Sequence, residues 1–490
     1  MSKNKLKIIH IASEVDPFSK TGGLADVVRS LPKAQQRLGH DVCIITPMYG
    51  KVIDKKKHDI KLIKKNIEIE INSKDIIKVN FYKGYLIHDL PVYFIENTKY
   101  FSQRKSLYGS THENARFMLF SVAALRLINM LELQPNIIHC HDWHTGLIPY
   151  YIKTKFHYTK NLQKVKTIFT IHNLIFQMGM NWWKVPFKFK DYGKSKLPHL
   201  DDKKIEYINF AKRAIMNANI INTVSENYAE EIMTKKFGQD LHCILKNRQH
   251  KLFGIVNGID YKAYNPTTDY GLKKKYNSQQ TNAKKINKKY LQKKLGLKVD
   301  TDIPLITMTS RISYEKGLEL ILKTLKHLLR LKVQFIFMGD GNKKYIQQLK
   351  KANKKYPSQI IWLPFKQKDE TLMYAASDFL LLPSNHEPCG LTPIISMHYG
   401  CVPIVTKIGG MHDTVENYNP TKNSGTGFVF NNFNTYELYG AIIKTIEAFK
   451  NKKRWKQLVI RDMQESNSWE IPAKKYIDLY KKAMNGKKQK

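Results

Sequence analysis

Short apolar, β-branched runs recur along the chain, with stretches of helical periodicity between them. In the first half the runs are 8–11, 42–46, 137–140, 167–171, 220–224 and 253–256, and the helix-like stretches include 27–37, 115–131 and 206–217. Runs without polar alternation suit strands buried on both faces, and their alternation with helices predicts βαβ units around a parallel sheet. A polar, lysine-rich segment from Pro266 to about Asp302 interrupts this pattern, which restarts at 305–309, 333–338, 360–363, 379–382 and 402–405. The expected fold class is α/β, with two doubly wound, Rossmann-like domains. Sheets of this kind bind ligands at the carboxyl ends of their strands, so two such domains facing each other would enclose a central cleft. No short-period repeat is present, which excludes solenoids and propellers.

The candidate chemistry lies at those strand ends. After the first run, Lys20-Thr21-Gly22-Gly23-Leu24-Ala25-Asp26 leads into a helix. Two glycines allow close backbone approach, the helix start offers free N–H groups and Lys20 adds a positive charge, so an anion, phosphate first, is the expected ligand. In the second half, Ser310-Arg311-Ile312-Ser313-Tyr314-Glu315-Lys316-Gly317 follows a strand. Arg311 offers a fork of donors and Lys316 a mobile ammonium, a pair suited to a diphosphate on which charge develops. A third motif is Glu387-Pro388-Cys389-Gly390-Leu391-Thr392-Pro393. Thr392 suits an N-cap and Pro393 a first helical position; the amides of Gly390 to Thr392 could hold a phosphate or sugar hydroxyl, and Glu387 could accept from a polyol.

Other patterns narrow the field. Gly339-Asp340-Gly341 begins like a dinucleotide fingerprint but Lys344 stands where the third glycine belongs, and no Walker-type phosphate loop is present. His139, His141, Asp142 and His144 surround one strand end. They could suggest a metal, but no third ligand is fixed at tetrahedral geometry, and Asp142, Trp143 and His144 read better as the lining of a sugar site. His172 and Asn257 end two further strands. Asp300-Thr301-Asp302 precedes its strand rather than following it, so it reads as a surface loop.

The chain has 490 residues, more than one core usually fills, and a formal net charge of +41. Such an excess attracts polyanions. Here the lysines are spread over the whole chain and form no stripe with interleaved aromatics, so nucleic acid is not an expected partner. The N-terminal residues lack the apolar core of a leader, and no apolar stretch approaches bilayer-spanning length, which together suggest a soluble, cytoplasmic protein without stable membrane association. Cys43, Cys140, Cys243, Cys389 and Cys401 are scattered and read as reduced thiols.

In their order along the chain, the Lys20–Asp26 motif, His141-Asp142-Trp143-His144-Thr145-Gly146, Thr170-Ile171-His172-Asn173-Leu174, Asn257-Gly258-Ile259-Asp260, Ser310-Arg311 with Lys316-Gly317, and Glu387 to Thr392 resemble the bacterial glycogen synthases of the starch synthase family, in the GT-B class of glycosyltransferases. The resemblance implies an N-terminal, acceptor-side domain over 1–262, a nucleotide-sugar-binding domain over 263–470, and a last helix, 471–490, that packs back on the first domain. It also implies transfer of glucose from ADP-glucose to an α-1,4-glucan with retention, without cofactor or metal. By the same resemblance Lys20, Gly22, Gly23 and Asp26 belong to the donor site, and Arg311 and Lys316 neutralise the departing ADP. Glu387, with Cys389, Gly390, Leu391 and Thr392, holds the glucosyl group; His172, Asp142 and Asn257 orient the sugar; and Phe365 stacks on adenine. Asn385-His386 and Pro393 depart from the family's usual residues.

Overall fold

The structure is a computed structural model and describes residues 5–86, 89–109 and 112–485. It divides into two compact units, Met1–Asn257 with Trp469–Lys490, and Gly258–Ser468. These junctions fall slightly before positions 262 and 470, because Ile259 bridges to Ser468 and the Asn467 amide donates to the Tyr261 hydroxyl within the second unit.

Among the described residues the first unit is built on a nine-stranded sheet. Its strands are β1 (Lys7–Ile11), β2 (Asp41–Pro47), β3 (Lys61–Glu70), β4 (Ile76–Tyr85), β5 (Pro91–Glu96), β6 (Ile137–His141), β7 (Lys166–Ile171), β8 (Ile220–Thr223) and β9 (Leu252–Gly254). The order is β3-β4-β5-β2-β1-β6-β7-β8-β9, antiparallel from β3 to β5 and parallel beyond. The second unit carries β10 (Leu305–Thr309), β11 (Gln334–Met338), β12 (Ile360–Leu363), β13 (Phe379–Leu382), β14 (Val402–Thr406) and β15 (Phe428–Phe430). These form an all-parallel sheet in the order β12-β11-β10-β13-β14-β15. Every residue of β10 and of β13 is buried, which is why those strands read as unbroken apolar runs.

In each sheet the strand order reverses beside the first strand of the unit, between β1 and β6 and between β10 and β13. At such a switch point the loops leaving the carboxyl ends diverge and open a crevice. The loops after β1, β6, β10 and β13 carry Lys20, Asp142, Arg311 with Lys316, and Glu387.

The helix expected over 206–217 is broken. A 3-10 turn, Lys203–Tyr207, is followed by a separate helix, Phe210–Asn217. Asn209 causes the restart: its side chain accepts from the Lys212 amide at 2.8 Å, an N-cap that competes with continuing the earlier turn. The lysine-rich segment also folds into the second unit, forming a helix over Ala283–Lys294. Lys288 pairs with Asp378 at 2.6 Å, and Lys284 donates to the carbonyls of Tyr374, Ala375 and Tyr399 at 2.9–3.1 Å. Burial lowers the Lys284 ammonium to about 8.

The C-terminal helix, Glu470–Asn485, belongs to the first unit. Its Ala473, Tyr476, Ile477 and Tyr480 share an apolar cluster with Ile8, Val27, Leu31, Ile137, Ile168 and Ile220. Transfer of each such aromatic from water contributes about 2 kcal/mol.

Candidate active site

In the first unit the loop after β1 turns into the helix Gly23–Arg37. Lys20 and Asp26 form an ion pair at 2.5 Å across this turn, both partly exposed. Burial raises the Asp26 carboxyl above its usual range, against the pull of Lys20. Gly22 is the N-cap residue, with extended backbone at φ −161°, and a Cβ added there would meet nothing within 4 Å. Neither a left-handed backbone nor internal packing requires glycine at 22; it suits an N-cap and leaves the backbone there open. Below the turn lies Glu14, 3% exposed, which accepts from the Thr21 amide at 2.5 Å and from its hydroxyl at 2.9 Å. Burial pushes the Glu14 carboxyl up to about 7. Glu14 is not part of the motif from Lys20 to Asp26; its only signal in the sequence is a carboxylate just beyond a buried strand, shortly before Lys20.

After β6, Asp142 adopts φ 56°, ψ 177°, a conformation almost confined to glycine. Strain of this kind costs on the order of 1–3 kcal/mol and persists where the surroundings enforce it. Here Asp142 donates its amide to the Thr170 carbonyl and accepts the His172 amide on Oδ1 at 2.7 Å, so β6 and β7 lock their ends together. Burial raises the Asp142 carboxyl to about 7, opposed by the backbone amides of His172 and Asn173. The His172 ring is joined to His141 at 3.0 Å and burial lowers it to about 3, so it is a neutral hydrogen-bonding group at physiological pH. Asn257 is 3% exposed and its Oδ1 has no hydrogen-bond partner among the described residues, a buried acceptor that calls for a donor. His144 packs instead in the core, against Tyr108, Phe117 and Trp143.

The imidazoles that come together are His10, His139 and His141, with ligand atoms within 4.8 Å of one another. His10, on β1, is the member that spacing along the chain does not reveal. All six of their ring nitrogens are engaged in hydrogen bonds: to His141 and Gln35 from His10, to Tyr480 and Thr170 from His139, and to His10 and His172 from His141. A metal there would have to displace those bonds.

In the second unit, Lys316 and Glu387 form a close, largely buried ion pair between the loops after β10 and β13. Ser384 adds a long contact to the same Glu387 oxygen at 3.5 Å. The Gly410 amide donates to the Glu387 carbonyl at 3.1 Å, and a Cβ at Gly409 would lie 1.9 Å from that oxygen. The glycine pair therefore lets one loop press on the backbone that carries the glutamate. Arg311 is exposed at the end of β10 and acts electrostatically on Glu315 and His386. Burial lowers His386 to about 4.

The helix after Glu387 spans Leu391–His398 and starts earlier than its sequence suggests. Gly390, at φ 73°, is the N-cap, so Thr392 and Pro393 sit inside the first turn. A left-handed residue is needed to enter this turn, and only glycine takes it at little cost. The amides of Leu391 and Thr392 remain first-turn donors without intrahelical acceptors, and Pro393 has none to offer. Phe365, 44% exposed, follows β12, two strands from β10, and its amide donates to Asp340 at 3.1 Å.

The description "Starch synthase catalytic domain" matches residues 7–247, and "Glycosyl transferases group 1" matches 291–460. The chain is 36% identical to the glycogen synthase of Geotalea daltonii, over 97% of this chain and 98% of that one. It belongs to the glycogen and starch synthase family. A second member, the glycogen synthase of Thermosipho melanesiensis, is 38% identical over 98% of this chain and 99% of its own. Among solved structures, the family's catalytic domain of starch synthase IV from Arabidopsis thaliana, bound to ADP and acarbose, superposes with a TM-score of 0.85 at 31% identity, covering 98% of this chain and all of that one. The protein is thus a GT-B glycosyltransferase. A sucrose-phosphate synthase from Thermosynechococcus elongatus, 16% identical with a TM-score of 0.60, shares the fold. Among the described residues no helix is long and apolar enough to cross a membrane.

Proposed function

We propose that the protein transfers glucose from ADP-glucose to the non-reducing 4-hydroxyl of an α-1,4-glucan, with retention of configuration, in the cytoplasm. The observation that carries this reading is the near-full-length likeness to glycogen synthases. The polar groups at the two switch points supply suitable chemistry.

Cleavage of the bond between C1 and the diphosphate leaves positive charge on the sugar ring and negative charge on the departing ADP. Arg311 and Lys316 are the cations assigned to that leaving group, where fixed charge is worth most as the charge develops. Glu387 holds Lys316 in place. With Cys389 and the amides of Gly390, Leu391 and Thr392 it is assigned to the glucosyl hydroxyls and the adjacent phosphate. Lys20, Asp26 and the open backbone at Gly22 and Gly23 are assigned to the donor, Phe365 to the adenine ring, and Asp142, His172 and Asn257 to the sugar. Retention follows if the acceptor hydroxyl attacks the face that the diphosphate leaves, with its proton passing to the departing phosphate oxygen as the new C1–O bond forms.

The test is glucosyl incorporation into glycogen by the purified protein, with ADP-glucose and UDP-glucose offered side by side and no metal added. Incorporation from ADP-glucose is expected. Incorporation from neither donor overturns the reading, and incorporation from UDP-glucose alone overturns the donor assignment.

A further inference from the structure

From His172 a line of hydrogen bonds runs into the interior of the first unit. His172 Nε2 lies 3.0 Å from His141 Nδ1, His141 Nε2 lies 3.0 Å from His10 Nδ1, and His10 Nε2 lies 2.7 Å from Gln35 Oε1. Gln35 Nε2 donates to the Tyr480 hydroxyl at 3.0 Å. That hydroxyl lies 2.7 Å from His139 Nδ1, and His139 Nε2 lies 2.6 Å from Thr170 Oγ1. His10, Gln35, His139, His141, Thr170 and Tyr480 are all 0% exposed, whereas His172 is partly open.

Burial holds His10 near 4 and His139 and His141 well below the usual imidazole range, so at neutral pH each ring carries one proton. A neutral imidazole donates once and accepts once. A line of such rings has two self-consistent states, with every proton pointing one way or the other. Rings and hydroxyls serve either state. Gln35 ties each state to one orientation of its amide, because its carbonyl can only accept and its NH2 can only donate, and the orientation present, carbonyl to His10 and NH2 to Tyr480, selects one of them. With the carbonyl toward His10, the proton of His10 is on Nε2. His10 Nδ1 then accepts from His141 Nε2, and His141 Nδ1 accepts from His172 Nε2. On the other arm the Gln35 NH2 donates to Tyr480, whose hydroxyl is free to donate to His139 Nδ1, and His139 Nε2 donates to Thr170. One orientation of the amide therefore sets both arms, and the opposite orientation would reverse both.

We propose that Gln35, held by Tyr480 of the C-terminal helix, is a positioning residue for His172: it sets the direction of the buried histidine line so that His172 keeps its proton on Nε2 and offers Nδ1 as an acceptor. An acceptor nitrogen recognises an O–H donor such as a sugar hydroxyl, and not a carbonyl or a phosphate oxygen that brings no proton. Only that choice of ligand rests on the proposed function; the tautomer does not.

The experiment is imidazole NMR of the full-length protein labelled with 15N-histidine, read together with glucosyl transfer. In the wild type His172 is expected as the Nε2–H tautomer. Gln35→Leu removes the directing amide and Tyr480→Phe releases its NH2; each is expected to bring in the Nδ1–H form of His172. With it, kcat should fall on the order of tenfold, the worth of about one directed hydrogen bond. Gln35→Glu still accepts from His10 and should restore the wild-type tautomer, which repair of packing alone would not explain. Finding Nδ1–H in the wild type, or an unmoved tautomer in both Gln35→Leu and Tyr480→Phe, overturns the proposal. The tautomer is read without turnover, so a protein inactive toward ADP-glucose would refute the proposed function and leave this test standing.

Discussion

At the switch point of the first unit, burial works against charge on the deep polar groups. Burial keeps the imidazoles of His10, His139, His141 and His172 neutral and lifts the carboxyls of Glu14 and Asp142 to about 7. At the matching point of the second unit, Lys316 and Glu387 meet as an ion pair, with Arg311 exposed at the end of the neighbouring strand. One topology therefore carries two kinds of polar surface. Neutral donors and acceptors in a dry setting read direction and so suit hydroxyls. Fixed charge suits a leaving group whose own charge grows during reaction.

If that division holds, removing charge from the second unit has the largest kinetic effect. Lys316→Ala takes away a cation assigned to the leaving diphosphate and leaves the Glu387 carboxylate unpaired. We expect kcat to fall by about 10²–10³, the usual cost of one preorganised stabilising group. Circular dichroism should show the fold intact. A variant working at near wild-type rate would take Lys316 out of the chemistry and erase the contrast between the units.

A smaller change is expected at the edge of the same sheet. Phe365 is half-exposed beyond β12, away from the ion pair, and its proposed partner is the adenine ring rather than the reacting atoms. Stacking of a base on an aromatic ring is worth about 1–3 kcal/mol, so Phe365→Ala should raise KM for ADP-glucose about tenfold and leave kcat nearly unchanged. A loss confined to kcat would mean that this residue acts on the transferred sugar and not on the nucleotide.

What could be read from sequence differs between these regions for physical reasons. Strands such as β10 and β13 are buried on both faces, so Leu305–Thr309 and Phe379–Leu382 stand out as continuous apolar runs. The antiparallel hairpin of β3 and β4 does not stand out because exposed positions of β3 carry Lys61, Lys64, Lys65 and Glu68, which dilute the apolar signal to a weak alternation. The strand β5 opens on a proline, and β15 is a short edge strand, so neither left a distinct run. Local motifs such as Lys20 to Asp26 and Glu387 to Thr392 were visible because one turn supplies all their groups. The helix of the second one starts two residues before the cap that Thr392 suggests, since a left-handed Gly390 enters it first. Lys284 and Lys288 look like solvated charge in a lysine-rich stretch, yet buried carbonyls and Asp378 draw them inside. The histidine line was hidden for another reason: Gln35 and Tyr480 are 445 residues apart, and no spacing rule links them.

The effect that touches rate least is on stability, and it follows from the burial that works against charge in the first unit. Glu14 titrates at about 7 in the folded protein because burial outweighs the two bonds from Thr21, whereas its ordinary value is 4.5. Between those two values the unfolded chain has already released the proton that the folded protein still holds, so the folded state binds more protons and unfolding free energy falls as pH rises. The contribution of Glu14 is therefore full below about pH 4.5, declines through the window up to about 7, and is level above it. Glu14→Gln keeps an oxygen to accept from Thr21 but cannot ionise. Urea midpoints measured from pH 5 to 8 should fall less steeply in this variant than in the wild type, and above pH 7 the variant should be the more stable by on the order of 1–3 kcal/mol. Asp142, lifted to about 7 by the same cause, keeps part of the slope in place. Parallel pH profiles for the two proteins would mean that Glu14 is ionised in the folded state, so that charge, held by Lys20 and Thr21, also organises the first unit's turn.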